Sequence, residues 1–246
     1  MHYKANAGHI GCSLSCIDIL IAVLIGKKTE KDTFILSKGH AASALYVSLN
    51  HIGEVSDEEL NTFYKNGTAL PAHPAALKFK GIPFATGSLG HGFPIGAGIS
   101  VASKLLDDGG FTYVVMSDGE TNEGTTWEAA NFAVSNQLNN LILIIDNNGL
   151  QGFGELNDVM GNTTDIAKWQ ALGFETATVD GHTISEIQNA VDSLKISGSN
   201  KPKVIIAKTV KGKGISFMEN KLEWHYHPMT EALYNQALNE ITEKYS

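Results

Sequence analysis

Cysteine is scarce in this sequence, with two in 246 residues, and charge is sparse, with 18% Asp, Glu, Lys and Arg. Cys12 and Cys16 stand four apart on an expected helix among apolar neighbours. Two thiols alone make neither a zinc-ligand set nor a disulfide framework, so both read as buried free thiols. Basic residues are outnumbered 26 to 18, which leaves a net charge of −8. No basic run interrupts the acidic balance, so a nucleic-acid partner is not expected. The longest apolar helix, residues 17–25, is too short to span a bilayer. Met1-His2-Tyr3-Lys4-Ala5 lacks the charged-then-apolar layout of a signal peptide, and a cytoplasmic location away from membranes is expected. Low-complexity segments and fixed-period repeats are also lacking, which excludes a solenoid.

What is present is an alternation of apolar runs and helical periods. Residues 111–116 and 141–145 are continuous apolar runs of the kind buried on both faces in a parallel sheet. Between them, residues 120–137 change to a helical period, with Trp127, Ala130, Phe132, Ala133 and Val134 on one side. Strand, crossover helix and parallel strand is the economical reading. Upstream, residues 13–25 and 41–52 read as helices around a short strand at 33–36. Ser56 to Glu59 forms a capping box whose acidic first turn suits the helix dipole. A loop rich in Gly and Pro covers 67–90, followed by a helix over 95–106. Strands at 174–179 and 204–207 enclose a helix at 184–194, and an amphipathic helix at 230–244 closes the chain. The alternation predicts an α/β fold, a single doubly wound, mostly parallel sheet flanked by helices, as one domain over residues 1–246.

The two central strands end in Ser117-Asp118-Gly119 and Asp146-Asn147-Asn148. In open α/β sheets ligands bind beyond the carboxyl ends of strands, so Asp118 and Asn148 face one crevice. Their oxygens suit a hard cation such as Mg²⁺ or Ca²⁺, and Mg²⁺ is commonly held by one or two carboxylates together with phosphate oxygens and water. As isolated dipeptides, the same residues are ordinary turns that close strands.

The wider segment decides between these readings. Ser117-Asp118-Gly119-Glu120-Thr121-Asn122-Glu123-Gly124, then Glu128-Ala129, then Asp146-Asn147-Asn148, resembles the thiamine diphosphate fingerprint in its transketolase form. Five further motifs extend the resemblance over nearly the whole chain. Gly8-His9-Ile10-Gly11 is similar to the family's Gly-His-Pro-Gly, and Ser37-Lys38-Gly39-His40 to its Ser-Lys-Gly-His. Ala72-His73-Pro74 is similar to a third histidine motif, and Thr86-Gly87-Ser88-Leu89-Gly90 to the Thr-Gly-Ser-Leu-Gly loop. Lys208-Thr209-Val210-Lys211-Gly212-Lys213-Gly214, followed by Glu223-Trp224-His225, resembles the tail of two-chain transketolases. Three positions depart from the pattern: Ser117 and Tyr226 where the family has glycine, and Ile10 where it has proline.

The resemblance implies thiamine diphosphate with Mg²⁺, for which Ca²⁺ or Mn²⁺ could substitute, and transfer of a two-carbon ketol unit between sugars or sugar phosphates. It implies Asp118, Asn148 and the Leu150 carbonyl as metal ligands. His40, Gly87, Leu89, Asp118, Gly119, Glu123, Asn148 and His225 are implied as cofactor-binding residues, with His91 where the family often has Gln. Glu123 is further implied, with Glu128, in a carboxylate network at the interface between subunits. His9 and His73 would face the donor's hydroxyls, His40 the reacting carbon and His225 the diphosphate, which makes the four imidazoles the catalytic set. Each stage of ketol transfer moves a proton between oxygen atoms, a task histidine performs near neutral pH. His2, His51, His182 and His227 match no such motif and are expected to be ordinary core or surface residues.

Family chemistry also requires a glutamate against the pyrimidine ring, supplied by a second domain for which this length leaves no room. A C-terminal transketolase-type subunit of roughly 300 residues, two further domains at about 100 to 200 residues each, is therefore the expected partner, in an α2β2 assembly. Two alternatives stand beside this reading. A thiamine-dependent 2-oxoacid dehydrogenase or decarboxylase subunit shares the Asp and Asn pair but not the Ser37 to His40 and Glu223 to His225 segments. A degenerate interaction module is opposed by the intact Asp118, Asn148 and His40.

Overall fold

The computed structural model describes residues 1–76 and 78–245. Five parallel strands form one sheet: β1 (Thr33–Leu36), β2 (Thr112–Ser117), β3 (Leu141–Asn147), β4 (Glu175–Asp180) and β5 (Lys203–Lys208). Their spatial order is β1-β2-β3-β5-β4, with Ser117 opposite Asp146 and Asn147 opposite Lys208 at the carboxyl ends. Central strands β2 and β3 are buried at every position. That burial explains the unbroken apolar runs, since each face meets a layer of helices.

Side chains alternate between the two layers as a two-residue period requires. Phe34, Leu36, Tyr113, Val115, Ile142, Ile144 and Ile205 face one core with the helices α1 (Ile10–Leu20) and α2 (Ala42–His51). Ile35, Val114, Met116, Leu143, Ile145 and Ile206 face the other, against α3 (Gly92–Leu106) and α4 (Gly124–Ser135). Each fully buried aliphatic side chain stabilises such a core by about 1.5–3 kcal/mol. A third cluster, Ile215, Met218, Trp224 and Met229, packs the C-terminal segment on Ile10 and Leu14 of α1. It thereby fixes the loop carrying His225 against the helix that begins beside His9.

Several element boundaries differ from expectation: the first helix begins at Ile10 rather than at residue 13, and α3 begins at Gly92 rather than at residue 95. The helix expected through residue 25 stops at Leu20 and continues as a π-helical turn, in which Gly26 N–H donates to the Ile21 carbonyl five residues back at 3.0 Å. The helix expected from residue 120 begins at Gly124, because Asp118–Asn122 forms a 3₁₀ turn. Ser117 closes a capping box with Glu120 across that turn, so the serine in place of glycine caps the turn that bears Asp118. The capping box at Ser56 and Glu59 is formed as expected. Among the described residues, no helix is long and apolar enough to cross a membrane.

Candidate functional site

Four chain segments leave the carboxyl edge of the sheet side by side: Ser37 to His40 after β1, Asp118 to Gly119 after β2, Asn148 to Gln151 after β3 and Thr209 to Lys211 after β5. Together with the start of α1 and the His225 loop they enclose a cleft of about 240 Å³. His9, His40, His73, His225, Gly87, Leu89, Asp118, Gly119, Asn148 and Leu150 all line it. Glu123 does not line the cleft; it is exposed, as is Glu128. His91 is exposed too, with its Nδ1 3.0 Å from the Leu89 carbonyl.

On the oxygen side, Asp118 is 1% exposed. Its Oδ1 accepts from Gly119 N–H at 2.8 Å and its Oδ2 from Gly149 N–H at 2.6 Å, leaving lone pairs for a cation. Burial, reinforced by the nearby Asp146 carboxylate, pushes the Asp118 carboxyl up to about 6. Asn148 Oδ1 accepts from Leu150 N–H at 3.0 Å, which orients the amide oxygen. The Leu150 carbonyl accepts from the Lys211 ammonium at 3.2 Å.

The imidazoles crowd the opposite wall. His9 holds a left-handed backbone (φ 68°) ahead of α1, and its N–H donates to the His225 carbonyl at 3.0 Å. A non-glycine residue in this region is strained, a feature that clusters at functional sites. His9 ring centroids lie 5.7 Å from His40, 6.1 Å from His73 and 5.2 Å from His225, and His40 stacks on His225 at 5.5 Å. Burial lowers every member: His9 to about 4, helped by His73, His2 and Lys211; His225 to about 3, helped by Lys211, His9 and Lys38. His40 falls well below its ordinary value through desolvation and then Lys38, and His73, exposed at the mouth side of the cleft, is lowered by partial desolvation. All four are neutral at pH 7, so each ring offers one donor and one acceptor nitrogen.

Several side chains in and behind the cleft carry no assignment from the motifs that contain them. Lys38 is buried and forms a salt bridge with the equally buried Asp146. Its ammonium also donates to the Cys12 carbonyl at 3.0 Å, while Ser15 donates to Asp146 at 2.6 Å and Thr209 donates to the same carboxylate. Burial opposes the charge on both partners, yet each holds the other ionised: Asp146 sits below and Lys38 above its ordinary value. Glu120, fully buried, accepts from Ser37 Oγ at 2.5 Å, Ser117 N–H at 2.8 Å and Gly90 N–H at 3.1 Å, tying three loops together. Lys211 reaches His225 Nδ1 at 2.8 Å. Ionisable residues beside an apolar strand, as Asp146 follows Leu141 to Ile145, are the signal that marks such a network.

The residues present fit a phosphorylated cofactor with a hard cation. Asp118, Asn148 and the Leu150 carbonyl are oxygen donors of the type such a cation takes. Gly119 has no Cβ, and one placed there would stand 3.2 Å from Gln151. The buried Gln151 Nε2 has no hydrogen-bond partner, an orphaned donor in a wall of the cleft. Lys38 and Lys211 line the same space.

Fold and cleft thus define a parallel α/β protein whose strand ends gather oxygen donors, two buried lysines and four histidines in one cleft. Residues 2–241 match the family model described as transketolase, thiamine diphosphate binding domain, and the chain belongs to that family. It is 38% identical to one subunit of the apulose-4-phosphate transketolase of Phocaeicola vulgatus, over 98% of this chain and 89% of that one. To the 6-deoxy-6-sulfo-D-fructose transketolase subunit SqwG of a Clostridium species it is 36% identical, over 97% and 90%. A solved transketolase from Campylobacter jejuni superposes with a TM-score of 0.88 at 30% identity, covering 97% of this chain. The chain spans 40% of that enzyme and 39% of the human transketolase, to which it is 35% identical.

Proposed function

We propose that this chain is the diphosphate-binding subunit of a two-chain ketol transferase, dependent on thiamine diphosphate and Mg²⁺, and that the whole chain acts as one domain. The observation that carries the reading is the convergence, in one cleft, of hard oxygen donors, two buried lysines and four imidazoles. When bound, thiamine diphosphate supplies a stabilised carbanion for breaking and remaking the carbon-carbon bond beside a sugar's carbonyl.

This chain's residues hold and orient. Asp118, Asn148 and the Leu150 carbonyl hold the cation; Lys211 neutralises phosphate charge and His225 bonds a phosphate oxygen; Gly119 allows close backbone approach. Gly87 and Leu89 flank the cofactor's aminopyrimidine side. His9 and His73 orient donor hydroxyls, and His40 moves a proton at the reacting oxygen, for which a neutral ring is the competent form at pH 7. Glu123 and Glu128, exposed beside the cleft loops, contribute to an interface between subunits rather than to the cofactor pocket.

Support for a separate partner comes from the relatives, which are named as subunits, and from the surface. Leu105 and Leu106 at the end of α3 are 82% and 74% exposed, and Phe132 on α4 is exposed with them. A partner that supplies the pyrimidine-binding glutamate, in an α2β2 complex, must also reach the cleft, where Phe153 and Tyr226 are exposed. The donor is a ketose with an anionic end, in line with the phosphate and sulfo groups in the relatives' names. Calorimetric titration of thiamine diphosphate into the chain with its partner tests the binding half of the proposal. Binding that requires Mg²⁺ supports it, and equal binding in the presence of a chelator contradicts it.

A further inference from the structure

The cleft holds a second donor set of different chemistry. Cys12, on the first turn of α1, lines the cleft, and its Sγ lies 3.7 Å from His225 Nδ1. One ligand atom each from Cys12, His40 and His225 fall within 4.8 Å of one another. His9, whose ring centroid is 5.2 Å from His225 and 5.7 Å from His40, stands next to them as a fourth nitrogen. We propose that Cys12, His40 and His225 form a site for a borderline-soft divalent cation, Zn²⁺ in kind, in the cofactor-free chain, and that its occupation excludes the phosphorylated cofactor.

Donor chemistry separates this site from the oxygen donors of Asp118, Asn148 and Leu150. A thiolate with two imidazoles selects Zn²⁺ or its substitutes, whereas carboxylate and carbonyl oxygens select Mg²⁺ or Ca²⁺. Zinc bonds of about 2.0–2.3 Å place neighbouring ligand atoms roughly 3.5 Å apart, so the three side chains close by about 1 Å on binding. Binding forms one metal–sulfur and two metal–nitrogen bonds, and the Cys12 proton leaves to solvent. Lys211 must give up His225 Nδ1, but its ammonium already donates to the Leu150 carbonyl and keeps that partner. The two lysines oppose a free cation in this space, and the thiolate offsets one positive charge. The mutual exclusion follows from place: His40 and His225 cannot ligate a metal and face the cofactor together.

Cobalt(II) alone, titrated into the metal-stripped full chain at pH 7.5, is the probe. The expected result is one equivalent bound with a near-ultraviolet sulfur-to-cobalt charge-transfer band and visible bands of tetrahedral intensity, all abolished by one equivalent of Zn²⁺. Cys12→Ser loses the charge-transfer band and weakens binding by at least about 100-fold, the upper end of what even an outer-sphere change costs. Cys16→Ala, which removes the fully buried thiol one turn on, keeps the band, and His225→Asn loses the tetrahedral spectrum. Circular dichroism establishes that each variant is folded. A folded wild-type chain that shows no charge-transfer band, or a band that survives in Cys12→Ser, overturns the proposal. The titration needs neither cofactor nor partner, so its outcome is independent of the ketol-transfer reading.

Discussion

Lys38 and Asp146 form a salt bridge in which neither side chain is more than 1% exposed, and each stands two residues before a residue of the cleft, His40 and Asn148. Through Cys12, Ser15 and Thr209 the same pair reaches the helix that follows His9 and the strand end that leads to Lys211. One ion pair thus clasps four of the segments that build the site. Such pairs add little net stability over apolar packing, but removing one partner strands a buried charge.

Lys38→Met is therefore expected to destabilise the chain by about 3–5 kcal/mol in urea denaturation. Lys38→Met with Asp146→Leu is expected to recover most of that stability while cofactor binding stays impaired. Equal stability of Lys38→Met and the unaltered chain is the result that contradicts the clasp.

Replacing Asp118 separates metal binding from folding. Its carboxylate is buried and destabilised in the metal-free chain, where burial and Asp146 hold its value near 6. Asp118→Asn is expected to stay folded, losing one of the two backbone N–H bonds because an amide has a single accepting oxygen, and to abolish the further rise in melting temperature that Mg²⁺ with thiamine diphosphate gives the parent. Differential scanning calorimetry with and without both ligands checks this.

Half-buried histidines with lowered values make an acid-sensitive fold. Their folded-state values lie below the unfolded value near 6.5, reaching about 4 for His9 and about 3 for His225. The unfolded chain therefore takes up more protons as pH falls, and stability drops from about pH 6.5 down to the folded values. Urea midpoints between pH 7 and pH 4 should fall. His225→Gln should flatten the decline, and an unchanged slope in that variant contradicts the assignment.

Most of the fold was legible because both of its periods are strong. Buried strands β2 and β3 appear as unbroken apolar runs, and the capping box at Ser56 lies where pattern placed it. The turn at Asp118–Asn122 was not legible, because Glu120 reads as a helix-start acid while its carboxylate turns inward to Ser37, Ser117 and Gly90. Within the site, loops with Gly or Pro beside a histidine marked His9, His40 and His73, and the structure brings all three to one cleft. Lys38, Asp146 and Lys211 lie inside the same motifs, but which of them pair is a tertiary fact that spacing along the chain does not carry. Glu123 has the family spacing yet faces outward, since residue spacing on a helix start does not fix which side meets the cleft.

Tyr226 lines the cleft and is exposed. Its ring lies 5.7 Å from His9 and 4.6 Å from His225, and its backbone leaves no room for a Cβ at Gly8. Tyr226→Gly is expected to change the KM for the ketose by about 3- to 10-fold, the scale of one aromatic contact, with little change in thiamine diphosphate affinity. Steady-state kinetics over a panel of ketoses distinguishes this from a loss of cofactor.

If this chain holds half of an active site for ketol transfer, carbon tracing tests that most directly. A ketose labelled at its first two carbons is incubated with an aldose, thiamine diphosphate, Mg²⁺, the chain and its pyrimidine-binding partner, and the label is followed into a new ketose. Transfer that needs both chains and disappears with Asp118→Ala is the predicted result. Transfer by either chain alone, or undiminished transfer with Asp118→Ala, would contradict it.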